Sequence, residues 1–190
     1  MRLIRTAEHR VMPWKNGLGS TTEIAVSPER ARLEDFDWRV SMASVTTDGP
    51  FSAFAGVDRT LSVMDGAGIR LQVAGRGAET LSPASPPYAF PGDQPTEAWL
   101  IDGPITDLNV MSRRGRLRHK VERLVLSTPL ERPAPAAATL VLCRCGLVRI
   151  GGGDAELGPL DGALFEAPAP ALKLTPVKAS EVFWIEFDPV

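Results

Sequence analysis

Histidine and cysteine are scarce in this 190-residue chain, with two of each. The histidines, His9 and His119, lie in unrelated segments, and neither has a neighbour at ligand spacing. A structural zinc site takes about four nitrogen or sulfur ligands, and a facial triad needs two histidines and a carboxylate on converging elements. Neither set can be assembled here, so no metal and no other cofactor is expected. Cys143 and Cys145 stand two apart in Leu140-Val141-Leu142-Cys143-Arg144-Cys145. On a strand they point to one face and cannot easily bridge, so buried, reduced cysteines with free thiols are expected. Long apolar runs are missing too, which excludes a membrane span. In Met1-Arg2-Leu3-Ile4-Arg5-Thr6-Ala7-Glu8-His9-Arg10, charges interrupt each apolar pair and leave no secretory core. A cytoplasmic location follows as the expectation. An excess of either charge is also lacking: 21 Lys and Arg face 23 Asp and Glu, for a formal net charge of −2. Without a global field, neither nucleic acid nor a membrane is an expected partner.

What the chain has in quantity is Gly and Pro, 17 of each. Average usage of the two together is roughly 12%, and here they punctuate short apolar runs, as between many short strands. In Trp38-Arg39-Val40-Ser41-Met42, Trp38, Val40 and Met42 share one face. Arg59-Thr60-Leu61-Ser62-Val63-Met64 and Ile69-Arg70-Leu71-Gln72-Val73 flank Asp65-Gly66-Ala67-Gly68, which predicts a hairpin. Phe183, Ile185 and Phe187 alternate with Trp184 and Glu186 near the end. No long stretch holds a 3.6-residue apolar stripe, and residues 117–126 fit a helical turn or a strand equally. The prediction is an all-β protein of antiparallel sheets with few helices. A loose repeat of pattern elements suggests two lobes: the hairpin and then residues 88–93 in one, and in the other residues 139–150, turning near Cys145-Gly146, then residues 161–168. The expected division is a first lobe over 1–127 and a second over 137–190, completed by strands from the N-terminal half. The Pro-rich stretch between them, residues 128–136, reads as a connector.

Three segments carry residues suited to ligand chemistry. Arg59 opens an apolar strand directly after a Gly-Val-Asp turn. Its guanidinium fork matches a carboxylate bidentately, although pairing with Asp58 or solvation at the strand mouth accounts for it equally. Trp14-Lys15-Asn16-Gly17 follows Pro13 and is glycine-flanked, so its backbone can approach a ligand. Lys15 adds positive potential and Asn16 both donates and accepts. A plain turn with Trp14 packed beneath it is the competing reading. In Asp107-Leu108-Asn109-Val110-Met111, alternation puts Asp107, Asn109 and Met111 on one face, either solvent or a barrel lumen. The basic run Arg113 to Lys120 has no interleaved aromatic residue. A solvated face, or a rim steering anions, explains it better than nucleic acid. No G-x-S-x-G, phosphate loop or Cys-His pair appears, so nucleophilic catalysis has no visible apparatus.

Four ungapped blocks resemble the HutD/Ves family of small bicupin proteins. They are residues 13–24 (Pro-Trp-Lys-Asn-Gly-Leu-Gly-Ser-Thr-Thr-Glu-Ile), 49–61 (Gly-Pro-Phe-Ser-Ala-Phe-Ala-Gly-Val-Asp-Arg-Thr-Leu), 90–93 (Phe-Pro-Gly-Asp) and 103–114 (Gly-Pro-Ile-Thr-Asp-Leu-Asn-Val-Met-Ser-Arg-Arg). Leu18 stands where the first block is expected to hold a further glycine, and the second lobe matches by position alone. The resemblance implies a two-lobed cupin-type β-sandwich or barrel, a link to histidine utilisation, and a pocket for a small carboxylate such as urocanate or formylglutamate. It also tips Arg59 towards ligand binding, with Lys15, Asn16, Trp14, Asn109 and Met111 as companions. Two functions stay open. The first is a non-catalytic binding protein that modulates histidine utilisation; the second is a metal-independent isomerase or lyase acting on a small carboxylate. Whether the chain forms a homodimer is left open as well.

Overall fold

The computed structural model describes residues 1–14, 19–153 and 155–190. Its strands, in chain order, are β1 (Arg2–Ile4), β2 (Arg10–Pro13), β3 (Gly19–Ser27), β4 (Trp38–Val45), β5 (Gly49–Pro50) and β6 (Val57–Asp65). Then come β7 (Ile69–Val73), β8 (Ala78–Leu81), β9 (Tyr88–Pro91), β10 (Thr96–Leu100), β11 (Ile105–Arg113) and β12 (Leu117–Leu126). The series closes with β13 (Leu130–Ala134), β14 (Ala138–Ile150), β15 (Glu156–Leu157), β16 (Gly162–Phe165) and β17 (Ala169–Pro189). One 3-10 turn, Thr6–Glu8, is the helical content among the described residues. The all-β expectation therefore holds, and residues 117–126 are a strand. Among the described residues no helix is long and apolar enough to cross a membrane.

The chain divides into two compact units, Arg10–Leu117 and Met1–His9 with Arg118–Val190. Compared with the expected 1–127 and 137–190, the first nine residues and most of β12 go with the C-terminal unit. β1 accounts for part of this, since it pairs antiparallel with β16, Arg2 opposite Leu164.

In the Arg10–Leu117 unit a six-stranded sheet, β2-β3-β4-β11-β6-β9, faces a four-stranded one, β5-β10-β7-β8. Ala43, Val45, Leu61 and Val63 from the first pack with Ile69, Leu71, Val73 and Ala98 from the second. Burying those side chains removes roughly 25 cal/mol per Å² of apolar surface from water, and this drives the sheets together. The predicted hairpin of residues 59–73 does not form: β6 pairs with β11 and β9, whereas β7 pairs with β10 and β8. Asp65-Gly66-Ala67-Gly68 instead carries the chain from one sheet to the other. Gly66 suits that switch, because its φ is +94° and a Cβ would run into the Pro104 carbonyl.

The other unit is one seven-stranded antiparallel sheet, β1-β16-β14-β17-β12, with β13 on β17 and β15 on β14. Its core includes Val141, Cys143, Val148, Leu157, Leu174, Val182 and Trp184. Two expectations are corrected here. Residues 145–146 are no turn, since β14 runs through them with register shifts against β17. The Pro-rich connector contains β13, whose Pro133 is tolerated because β13 pairs only with β17.

A cavity on the face of the six-stranded sheet

Register on the six-stranded sheet puts three polar rows onto one face. Val26, Arg39, Met111, Arg59 and Phe90 lie side by side across β3, β4, β11, β6 and β9. Two residues along, Glu23, Ser41, Asn109 and Leu61 form the next row, and Thr21, Ala43, Asp107 and Val63 the third. The period of two that buries Val40, Leu108 and Val110 on the opposite face directs these polar groups to this one. Thr21, Arg39, Ser41, Arg59, Asp107 and Asn109 line a cavity of about 380 Å³ that Trp14, Pro50, Phe51, Ser52 and Phe54 help to wall. Its size suits a small molecule, and its mixture of aromatic wall and few polar groups is that of a ligand pocket.

Arg59 is the centre of this arrangement. It is 7% exposed, and its Nε donates to Asn109 Oδ1 at 2.7 Å. The guanidinium carbon stands 4.8 Å from the Phe51 ring centroid and 5.5 Å from that of Phe90. Two aromatic faces thus hold the cation by its plane, a contact that strengthens when water is excluded. Asn109 in turn donates through Nδ2 to Asp107 Oδ1. Asp107 is 0% exposed, and its second oxygen, Oδ2, is buried without a hydrogen-bond partner. Burial pushes the Asp107 carboxyl up to about 6, while the Arg59 charge and the hydrogen bonds from Asn109 and the Ala43 backbone oppose a further rise. The same burial pulls Arg59 down to about 10, so it stays charged at neutral pH, with Asp107 holding it up and Arg39 pushing it down. Alongside, Arg39 is 4% exposed and donates to Glu23 Oε2 at 2.7 Å and to Ser41 Oγ at 3.4 Å.

Trp14, Arg59, Asn109 and Met111, expected from the sequence, all line this cavity. Trp14 donates from its indole nitrogen to Thr21 Oγ1 at 2.9 Å, which fixes the ring as wall. Lys15, Asn16 and the Leu18 departure lie outside the described residues. Arg59 does not pair with Asp58, which is taken by Arg114 at 2.8 Å. The basic run is broken by the turn between β11 and β12, so no continuous stripe forms. Arg114, Arg116 and Lys120 each pair with a carboxylate. His119 lies on β12 with its ring 6.3 Å from that of Phe187, and is not a cavity residue. Sequence reasoning missed Arg39, Ser41, Thr21 and Phe51. The signal for the first two was present, because a strand that puts Trp38, Val40 and Met42 on one face puts Arg39 and Ser41 on the other.

Among the described residues no group of three or more His, Cys, Asp or Glu side chains converges as metal ligands would. The cavity wall presents the Arg59 guanidinium, whose planar fork has the geometry to meet a planar anion side-on.

Comparison with known proteins agrees with this geometry in family and fold. Protein Ves of Citrobacter koseri is 40% identical over 116 residues, 59% of each chain. An uncharacterised 21.2 kDa protein from the hutC 3′ region of Pseudomonas putida is 36% identical over 122 residues, 64% of this chain and 63% of that one. The chain thus spans about six-tenths of the length of these two curated relatives. HutD from Pseudomonas fluorescens SBW25 superposes with a TM-score of 0.85 at 32% identity, over 100% of this chain and 98% of that one. The pirin YhhW of Escherichia coli, solved in complex with nickel(II), is 12% identical with a TM-score of 0.72, over 100% of this chain and 99% of that one. That likeness shows the cupin-type fold alone. The model of the HutD family matches residues 6–184, through both compact units, and this chain belongs to the HutD family.

Proposed function

We propose that this bicupin chain binds a small carboxylate, of the kind of urocanate or formylglutamate, in the cavity of the Arg10–Leu117 unit. By doing so it modulates histidine utilisation without catalysing a step. The observation that carries this reading is the buried Arg59 guanidinium, gripped by Phe51 and Phe90 and held at Nε by Asn109. Among the described residues its two Nη groups make no hydrogen bond, and they are the pair that a carboxylate engages in parallel. An anion entering such a site loses hydration that only strong donors replace. A HutD structure from Pseudomonas fluorescens is that of a formate condition, and formate is the smallest carboxylate. The two free cysteines support action in a reducing compartment.

Calorimetry with urocanate and with formylglutamate tests the assignment. Wild type binds one or both, Arg59→Ala loses at least about thirtyfold in affinity, and Arg59→Lys binds weakly because a point charge does not reproduce the fork. Unchanged affinity in Arg59→Ala sinks the site.

A second reading, a metal-independent isomerase or lyase, is favoured by one observation. A buried carboxyl poised near 6, as Asp107 is, suits a general acid or base. NMR of either compound incubated with the protein separates the two readings: persistent substrate signals favour binding, and product signals favour catalysis.

A further inference from the structure

Among the described residues, charge in and beside the cavity wall is balanced before any ligand arrives. Arg39 is paired with Glu23 at 2.7 Å, and Arg59 is offset by Asp107 through the shared Asn109. Arg39, Arg59 and Asp107 are buried, Asp107 most of all, and the Glu23 side chain is 15% exposed. An anion added to this balanced set leaves one uncompensated negative charge away from water, the costliest arrangement a polar site can adopt. One proton taken up removes it.

Asp107 is built to take that proton. Oδ1 accepts the Asn109 amide, but Oδ2 is buried with no partner. Protonation at Oδ2 therefore discharges the group while Oδ1 keeps its hydrogen bond from Asn109. The surroundings offer no competing carboxylate except Glu23. Facing Asp107 are Asn109 and Met111 from β11, Ala43, Ser41 and Arg39 from β4, and Arg59 and Val63 from β6. Thr21 and Glu23 face it from β3, and Trp14, Phe51, Ser52 and Phe54 close the cavity. Among these described residues the cations are Arg39 and Arg59, and Arg39 is already in direct contact with Glu23 at 2.7 Å.

We infer that the cavity takes a monocarboxylate together with one proton, and that Asp107 is the group that holds the proton. This rests on the carboxylate-binding reading above and adds to it a ligand class and a pH dependence. In the empty cavity the Arg59 charge restrains the carboxyl of Asp107 from rising beyond about 6. A carboxylate seated on Arg59 cancels that restraint, so the bound state holds its proton more tightly. Affinity then falls as pH rises above about 6, by tenfold per pH unit at the one-proton limit. A dicarboxylate brings a second charge for which the described wall residues have no counterpart, so one carboxylate is preferred to two.

The test uses urocanate and the full chain. Affinity is measured by calorimetry at pH 7.0, 7.75 and 8.5, each in phosphate and in Tris, whose ionisation heats differ. Over this range Arg59 stays charged. The expected result is a fall in affinity of roughly tenfold per pH unit and an uptake of about one proton per ligand bound. Asp107→Asn should bind with pH-independent affinity and no uptake. Binding without proton uptake in wild type overturns this inference and leaves the carboxylate reading standing. Uptake that persists in Asp107→Asn overturns the assignment to Asp107. Absence of urocanate binding at every pH sinks the carboxylate reading and this inference with it.

Discussion

Arg59 and Asp107 share a buried face through Asn109, and each shifts the other's titration. This coupling reaches stability as well as binding. An aspartate in an unfolded chain titrates near 3.9, and Asp107 titrates near 6 in the fold. Between those values the native state holds a proton that the unfolded chain has released, so this group's contribution to stability falls as pH rises from about 4 to about 6. Two pK units correspond to about 3 kcal/mol. Chemical denaturation at pH 4, 5, 6 and 7 should therefore show Asp107→Asn gaining on wild type by up to about that amount as pH rises, then levelling off. A constant difference would mean that Asp107 titrates alike in both states. The sequence marked the face that Asp107 shares with Asn109 and Met111 but could not say whether it met solvent or a lumen. That choice depends on what packs opposite, and a strand's own period carries no such information.

At the scale of elements, legibility followed locality. Strand existence was readable because apolar alternation and Gly or Pro punctuation act within a few residues. Pairing was not: the Asp65–Gly68 segment looks like a hairpin turn but joins two sheets, because β6 finds better partners in β11 and β9. The second misread turn, Cys145-Gly146, is an irregularity within β14. Its register shifts separate two cysteines expected on one face, leaving Cys143 buried and Cys145 exposed. Burial pushes the Cys143 thiol up to about 11, which makes it an inert core residue. Gly146 is what permits the irregularity. Its φ is +95°, and a Cβ there would collide with Ser180, whose Oγ accepts from the Leu147 amide at 3.0 Å and donates to the Lys178 carbonyl at 2.6 Å. Gly146→Ala should lose roughly 2 kcal/mol or more in denaturant unfolding, through backbone strain and the displaced serine. The loss should leave urocanate affinity unchanged, because the cavity belongs to the other unit. A neutral substitution would show that the backbone relaxes there without cost.

For the molecule as a whole, the two units invest their interiors differently. The C-terminal unit fills its core with Val141, Val148, Leu174, Trp184 and their neighbours, and its polar groups pair locally, as Arg132 does with Glu122 at 2.8 Å. The Arg10–Leu117 unit gives up part of its interior to a cavity lined by two arginines and an aspartate. Buried charge of this kind is costly to maintain even when it is balanced. Ligand binding to the native state stabilises by about 2.7 kcal/mol at a hundredfold excess over Kd. That stabilisation should appear where the ligand's contacts are. Hydrogen exchange with and without saturating urocanate at pH 6.5 should show slower exchange in β3, β4, β6 and β11, the strands whose side chains line the cavity. The amides of β14, β16 and β17 should exchange at unchanged rates, since among the described residues none of theirs lines the cavity. Protection centred on the C-terminal sheet would place the ligand elsewhere and remove Arg59 and Asp107 from its recognition.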